Sequence, residues 1–161
     1  MRLNNDAVRG VLMYLGEYLG YVDLDSDVPC KHESMVIGVI ADGAITNYSE
    51  NVTLFNKVDA IYAVEQLIRA GYLETSGMKQ VGKDIIFARI VDITWKGQEL
   101  LQSIEDKIIW DAVKSECNTK GVKTLSIIAG IAKQVAIASM TEPKSVQNII
   151  TAIQTFGGLI T

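Results

Sequence analysis

This chain has little cysteine, a single histidine and fewer bases than acids, and each shortage closes off a class of function. Two cysteines, Cys30 and Cys117, are too few to scaffold a fold of 161 residues with disulfides. One histidine, His32, leaves no Ser-His-Asp or Cys-His pairing with supporting sequence context beyond the loop near Cys30. The sequence therefore nominates no active site, and the chain is expected not to be an enzyme. A formal net charge of −4 and a pI near 5.0 argue against a protein that coats nucleic acid, since that affinity comes from clustered Lys and Arg releasing counterions. The longest apolar run, residues 125–140, is interrupted by Lys133 and Gln134 and falls short of the roughly 20 residues of a spanning helix. No membrane partner is expected. No basic stretch followed by an apolar one opens the chain, so the expected location is cytoplasmic.

The composition itself, 48% hydrophobic with 21% charged, is that of a globular chain, and this length predicts one main domain with an appendage. Charge is uneven: residues 1–50 carry eight acids against three bases, whereas residues 51–100 are neutral.

Asn4 or Asn5 is placed to cap a first helix, in which Val8, Val11, Leu12, Leu15 and Leu19 recur at the spacing of one buried face. Residues 20–34 are acidic and aperiodic and contain Pro29, so they read as a loop. The apolar run 35–40 before Asp42-Gly43 predicts a strand and a tight turn, with a second short strand over 44–47. Residues 56–70 set Val58, Ile61, Val64, Leu67 and Ile68 on one helical face. Gly71 should end that helix as a left-handed residue and let Tyr72 fold back on Leu67. Residues 72–75 and 84–93 then flank a polar tip, residues 76–83, as the strands of a long hairpin. Its return strand alternates Ile85, Phe87, Val91 and Ile93 with Ile86, Ala88 and Ile90.

Thr94 is placed to cap the next helix, whose Leu100, Leu101, Ile104 and Ile108 should face the core. Gly97 costs that helix about 1 kcal/mol relative to Ala, which points to close backbone approach by a neighbour. The stripe shifts at Ile109, Trp110, Val113 and Cys117, predicting a kink or a change of packing partner, with Gly121 as the stop. Helical spacing accounts for Tyr62, Trp95 and Trp110, which are expected in the core. Residues 124–140 are apolar nearly all round. A second helix follows, with Thr141 as cap, Pro143 in its first turn, Val146, Ile149, Ile150, Ile153 and Phe156 as its stripe, and Gly157 as its stop.

A helix that ends on Gly and turns into a strand, a long hairpin, and a strand that restarts as a Thr-capped helix together describe a winged helix. The expected fold is α+β: a winged-helix domain (helix-turn-helix with a β-hairpin wing) over residues 1–121, carrying the acidic loop 20–34. An apolar helical hairpin, residues 122–161, follows as a packing or oligomerisation element.

The run Thr94-Trp95-Lys96-Gly97-Gln98-Glu99-Leu100-Leu101, continuing to Ile104, Asp106 and Trp110, resembles a family of bacterial and phage proteins known as a domain of unknown function, family 2513. That family's hallmark is Thr-Trp-x-Gly-His-x-Phe-Leu followed by an acidic turn and a Trp. Tyr62-Ala63-Val64-Glu65-Gln66-Leu67-Ile68-Arg69-Ala70-Gly71-Tyr72-Leu73 is similar to its Tyr-His-x-x-x-Leu-x-x-Ala-Gly-Leu-Ile element, and Asp6-x-x-Arg9 in the opening helix also fits. The likeness covers roughly residues 1–138. Gln98 and Ala63 stand where the family usually has His, so no role for those imidazoles carries over. The resemblance implies a winged-helix fold of the kind common among bacterial regulators and implies no activity.

Two functions stay open. In a DNA reader, residues 56–70 form the recognition helix and residues 76–83 the wing tip; Lys57 and Arg69 reach phosphates, Gln66 a base edge, and Lys79 and Lys83 an adjacent backbone. Asp59 and Glu65 on the same helix oppose this. The alternative is a protein-binding module of a phage or mobile element that engages a host protein. In either case a homo-oligomer through residues 122–161 is expected.

Three near-motifs carry no site. Gly77-Met78-Lys79-Gln80-Val81-Gly82-Lys83-Asp84 nearly spells a phosphate loop, but Asp84 replaces the hydroxyl residue and a strand follows instead of a helix. Asp23-Leu24-Asp25-Ser26-Asp27 starts like a calcium loop but has Val28 for the turn Gly and Ser34 for the closing Glu. Cys30 and His32 could recruit only Cys117 as a further soft ligand, short of a zinc site. No metal and no cofactor are expected.

Overall fold

Asn4 opens the first helix as expected, its Oδ1 accepting from the Ala7 amide at 3.2 Å. The computed structural model describes residues 3–20, 32–49, 53–120 and 124–141. The elements run α1 (Asn5–Tyr18), β1 (Met35–Val36), α2 (Ile37–Tyr48), α3 (Lys57–Arg69), β2 (Leu73–Val81), β3 (Asp84–Ile93), α4 (Trp95–Ile104), α5 (Lys107–Lys120) and α6 (Leu125–Thr141). The chain is thus α+β, with one antiparallel three-stranded sheet in the order β1-β3-β2 among the described residues. It divides into two compact units, Met1–Gln98 and Glu99–Thr161. The division falls inside α4, upstream of the 121/122 boundary expected from the sequence.

In the first unit, α1, α2 and α3 pack on one another, and α2 and α3 also pack on the sheet. The largest difference from the sequence reading is α2. Residues 37–48 are helical, not a strand, turn and strand, and only Met35 and Val36 remain extended. Ile40, Ala41 and Ala44 are the buried residues of α2, a one-and-four spacing that a short apolar run hides. Asp42-Gly43 therefore lies within a helix. A Cβ on Gly43 would run into the Tyr14 ring of α1, so this glycine permits a close helix crossing and makes no turn.

The hairpin also differs. β2 continues through Val81, so the turn is Gly82-Lys83 and residues 76–81 are strand, not tip. Simple alternation fails on β3 because the register shifts twice there: Lys79 and Gln80 pair with Phe87 and Ile85, and Glu74 and Thr75 pair with Asp92 and Ile90. Each shift leaves one residue of β3, Ile86 or Val91, without a partner and rotates the strand. The buried residues accordingly read Ile85, Ala88, Ile90 and Ile93, while Ile86 is 65% exposed.

α3 buries Ala60, Ala63, Val64 and Leu67; Val58, expected on that face, is 57% exposed. The helix ends as foreseen. Gly71 has φ +81°, its amide reaches the Ile68 carbonyl at 3.1 Å, and the Tyr72 amide reaches Leu67 at 2.9 Å, both bonds of a Schellman cap.

In the second unit the foreseen kink falls at Glu105–Asp106, between α4 and α5. Asp106 Oδ1 accepts from the amides of Ile108 and Ile109 at 2.8 and 3.3 Å and so caps α5. Leu100, Leu101, Ile104 and Trp110 are buried, but Ile108 is half exposed, since the cap turns it outward. Trp95, expected in the core, is 81% exposed. α6 packs on α5. It buries Leu125, Ile128, Ile131, Ala132, Val135 and Ala138 and leaves Ile127 and Ile137 half exposed, so it is one-sided and not buried all round. The second helix expected from Thr141 onward lies outside the described residues, as do Asp23, Asp25, Asp27 and Cys30 of the acidic loop. At the base of that loop the Gly20 amide donates to the His32 carbonyl at 3.0 Å, and the His32 amide to Tyr18 at 2.8 Å. No helix among the described residues is long and apolar enough to cross a membrane.

Candidate nucleic-acid interface

α3 is held at both ends. Asn56 Oδ1 accepts from the Asp59 amide at 2.9 Å while Asp59 Oδ2 accepts from the Asn56 amide at 3.1 Å, a capping box that commits the Asp59 carboxylate to the helix start. At the other end Lys96 Nζ donates to the Ala70 carbonyl at 2.9 Å and lies 4.5 Å from the Tyr72 ring centroid. A cation there complements the negative end of the helix dipole. Burial raises the Tyr72 hydroxyl pKa above its ordinary value.

With Ala60, Ala63, Val64 and Leu67 facing inward, helical geometry directs Val58, Tyr62, Glu65 and Arg69 outward at successive spacings of four, three and four. The outward side therefore mixes an aliphatic group, a phenol, an anion and a cation. Tyr62 is half-buried, as is Glu65.

The five residues nominated from sequence do not form one cluster. Lys57 turns to α2, where its Nζ pairs with Asp42 at 3.1 Å. Both side chains are more than half exposed, so the pair contributes at most about 1 kcal/mol, but Asp42 offsets the charge a phosphate would meet. Gln66 is half-buried on the flank of α3. Arg69 and Lys83 do come together: the Arg69 guanidinium donates through Nη2 to the Lys83 carbonyl in the hairpin turn. That bond ties the end of α3 to the hairpin turn and brings Arg69 to the backbone of a second cationic residue. Lys79 is on the hairpin, directly across from Phe87, on the side of β3 opposite the buried Ala88 and Ile90.

Sequence reasoning missed three residues. Arg89 is exposed and its Nη1 donates to Ser34 Oγ at 3.1 Å; Phe87 is 39% exposed beside it; Val58 stands outward in the first turn of α3. Phe87 and Arg89 were hidden by the register shifts, which no alternation pattern encodes. Val58 was legible: the Asn56–Asp59 cap fixes the helix start, and counting inward from it separates residue 58 from residue 60 by about 200°.

A separate polar cluster lies on α1 and α2. The Tyr48 hydroxyl donates to Glu17 Oε2 at 3.1 Å, and the Tyr14 and Tyr18 rings lie 4.7 Å apart. Burial, then the hydrogen bond and negative charge of Glu17, push the Tyr48 pKa up to about 12.

No curated protein and no solved structure matches the chain. The elements that carry the sequence motifs, from α1 through the Gly71 cap and the Thr94 cap to Trp110, all fall within residues 2–123, which match the family described as "Hypothetical protein (DUF2513)", and the chain belongs to that family.

Proposed function

We propose that Met1–Gln98 is a winged-helix module that binds duplex DNA through the outward side of α3 and the turn of the β2–β3 hairpin, as a regulator-like protein without a reaction of its own. The element order α1-β1-α2-α3-β2-β3, with β3 central in the sheet, supports the winged-helix reading. The bond from Arg69 to the Lys83 carbonyl carries the DNA reading, because it makes one surface of a helix and a wing and sets a cation from each at their junction. Phosphate contacts of this kind position a module, and base contacts from α3 would add specificity.

Fluorescence anisotropy against a random duplex at low salt tests the proposal. Nonspecific binders have Kd of roughly 10⁻⁴ to 10⁻⁶ M even at physiological salt. Absence of binding at about 100 μM protein, by that standard, rejects it. Arg69→Gln should weaken binding and lower the salt slope by roughly 0.9.

Dimerisation through the C-terminal helices is part of the same proposal, supported by Ile127 and Ile137 exposed on α6. Ile127→Glu with Ile137→Glu should reduce the mass in light scattering to that of a monomer, and an unchanged mass would rule this face out.

A second reading, a module that docks on a protein, is favoured by Val58 and Glu65 on the outward side of α3. An aliphatic group and an anion suit a protein surface better than phosphates. Reversal of the charge by Glu65→Lys distinguishes the two, strengthening duplex binding in the first reading and weakening capture of a protein partner in the second.

A further inference from the structure

The sheet has a second side that α3 does not use. Residues opposite one another in the register share a side, so Val36, Arg89 and Gly77 lie together, and so do Phe87 and Lys79. The intervening Ala88 and Ile90 are buried and point the other way. Phe87 is 39% exposed. Gly77 opposes Arg89 with open space where a side chain would be, so no side chain from β2 covers that flank of β3. The bond from Arg89 Nη1 to Ser34 Oγ uses one of five donors and anchors that group at the sheet. Phe87 and Arg89 are two residues apart on β3, roughly 6.7 Å. An exposed aromatic ring thus sits between two cationic residues on a side that ends, toward the turn, at Val81 and Asp84.

A second copy of the chain is a poor occupant, since two such faces related by a two-fold axis would bring Lys79 and Arg89 toward their own images. The matching ligand is a flexible polyanion that also presents flat rings. An unpaired nucleic-acid strand has both, because every base has a π-face and every nucleotide a phosphate. We propose that this outer side of the β2–β3 hairpin binds single-stranded nucleic acid, with a base stacked on Phe87 and phosphates held by Lys79 and Arg89. The site is separate from the outward side of α3 and goes beyond the duplex reading.

The full chain titrated into a short fluorescein-labelled oligothymidylate at low salt provides the test. Binding is expected, and Phe87→Ala should weaken it roughly 5- to 150-fold, the range that stacking of one base gives. Phe87→Trp should retain it. Lys79→Gln and Arg89→Gln should each lower the salt slope by roughly 0.7, which keeps the test available if Phe87→Ala does not fold. Arg69→Gln should leave oligothymidylate binding unchanged even where it weakens duplex binding, so the two surfaces succeed or fail separately. The proposal is overturned if the parent chain does not bind, if folded Phe87→Ala binds like the parent, or if polyglutamate displaces the oligonucleotide as well as unlabelled oligothymidylate does. The last result would assign the face to an acidic protein.

Discussion

The Thr94 hydroxyl donates to the Gly71 carbonyl at 2.7 Å and accepts from the Gly97 amide at 3.2 Å, so one side chain both caps α4 and closes the turn after α3. The Thr94 amide reinforces this by donating to the Tyr72 carbonyl at 3.0 Å. The opening of α4 is therefore fixed to the end of α3 from two directions, and through α3 to the hairpin turn at Lys83.

Loss of that hydroxyl should cost more than loss of a cap alone. Thr94→Val removes the cap, worth about 0.5–2 kcal/mol, and also the hydroxyl donor to Gly71. Urea denaturation is expected to give a total near the upper end of that range, with Thr94→Ser recovering most of it. A loss below about 0.5 kcal/mol, the bottom of the cap range, would mean that the hydroxyl has no structural role.

Gly97 and Gly130 make opposite predictions for the same substitution. A Cβ on Gly97 would run into the Tyr72 carbonyl oxygen and the Ile93 side chain. The carbonyl is backbone already bonded to Thr94, so it cannot yield cheaply. Gly97→Ala should destabilise by about 1–3 kcal/mol through overpacking, despite the better helix propensity of Ala. A Cβ on Gly130 of α6 would meet no atom within 4 Å beyond its own turn of helix, so Gly130→Ala should stabilise by up to about 1 kcal/mol. Thermal melts of the two variants should move in opposite directions.

The contrast between these glycines bears on how far the sequence could be read. Gly97 was legible as a close-approach residue, because a glycine inside a strongly patterned helix gives up propensity that a neighbouring backbone, too near for a Cβ, makes necessary. Gly43 was not: beside Asp42, after a short apolar run, it reads as a turn, and only the Tyr14 ring on α1 reveals it as a helix crossing. Elements with long periodic faces and punctuating caps, α1, α3 and α4, were legible, and the hairpin was legible as a hairpin but not in its turn or register. α2 was not, because a helix of 12 residues buried at Ile40, Ala41 and Ala44 has the local signature of a strand. Within the candidate site Arg69 and Lys83 were legible as cations near a helix end and a hairpin turn. Their bond, and the displacement of Lys79 to the other side of the sheet, depended on a register that the sequence pattern does not contain.

Alkaline pH should weaken the packing of α1 and α2 through Tyr48. Its folded pKa is raised to about 12 from an ordinary 10.0, so the folded state holds the phenolic proton more tightly than the unfolded chain does. The stabilisation is fully present below pH 10 and is lost as pH rises from 10 toward 12. Tyr14 and Tyr72 are shifted in the same direction by burial and add to the same window. Melting temperature should therefore fall through that window, less steeply in Tyr48→Phe, and a parallel decline in the two proteins would remove Tyr48 as a cause.

The two tryptophans should behave as opposites in fluorescence and in stability. Trp95 is 81% exposed and follows directly on the Thr94 cap, whereas Trp110 is 1% exposed in α5. Trp95→Phe should leave a blue-shifted emission that acrylamide quenches poorly, since only the buried indole remains. Trp95→Ala should change stability by no more than about 0.5 kcal/mol, as for other surface substitutions, while Trp110→Ala should cost about 3–5 kcal/mol. The exposed indole also stands where α4 begins, between Thr94 and Lys96, whose side chains bond the Gly71 and Ala70 carbonyls at the end of α3, so it reports on a ligand that approaches that end. If duplex DNA seats on α3 and the hairpin turn, saturating duplex should reduce acrylamide quenching of the parent chain, and Arg69→Gln should reduce that protection in step with affinity. Quenching unchanged by a duplex that demonstrably binds would place the DNA elsewhere on the molecule.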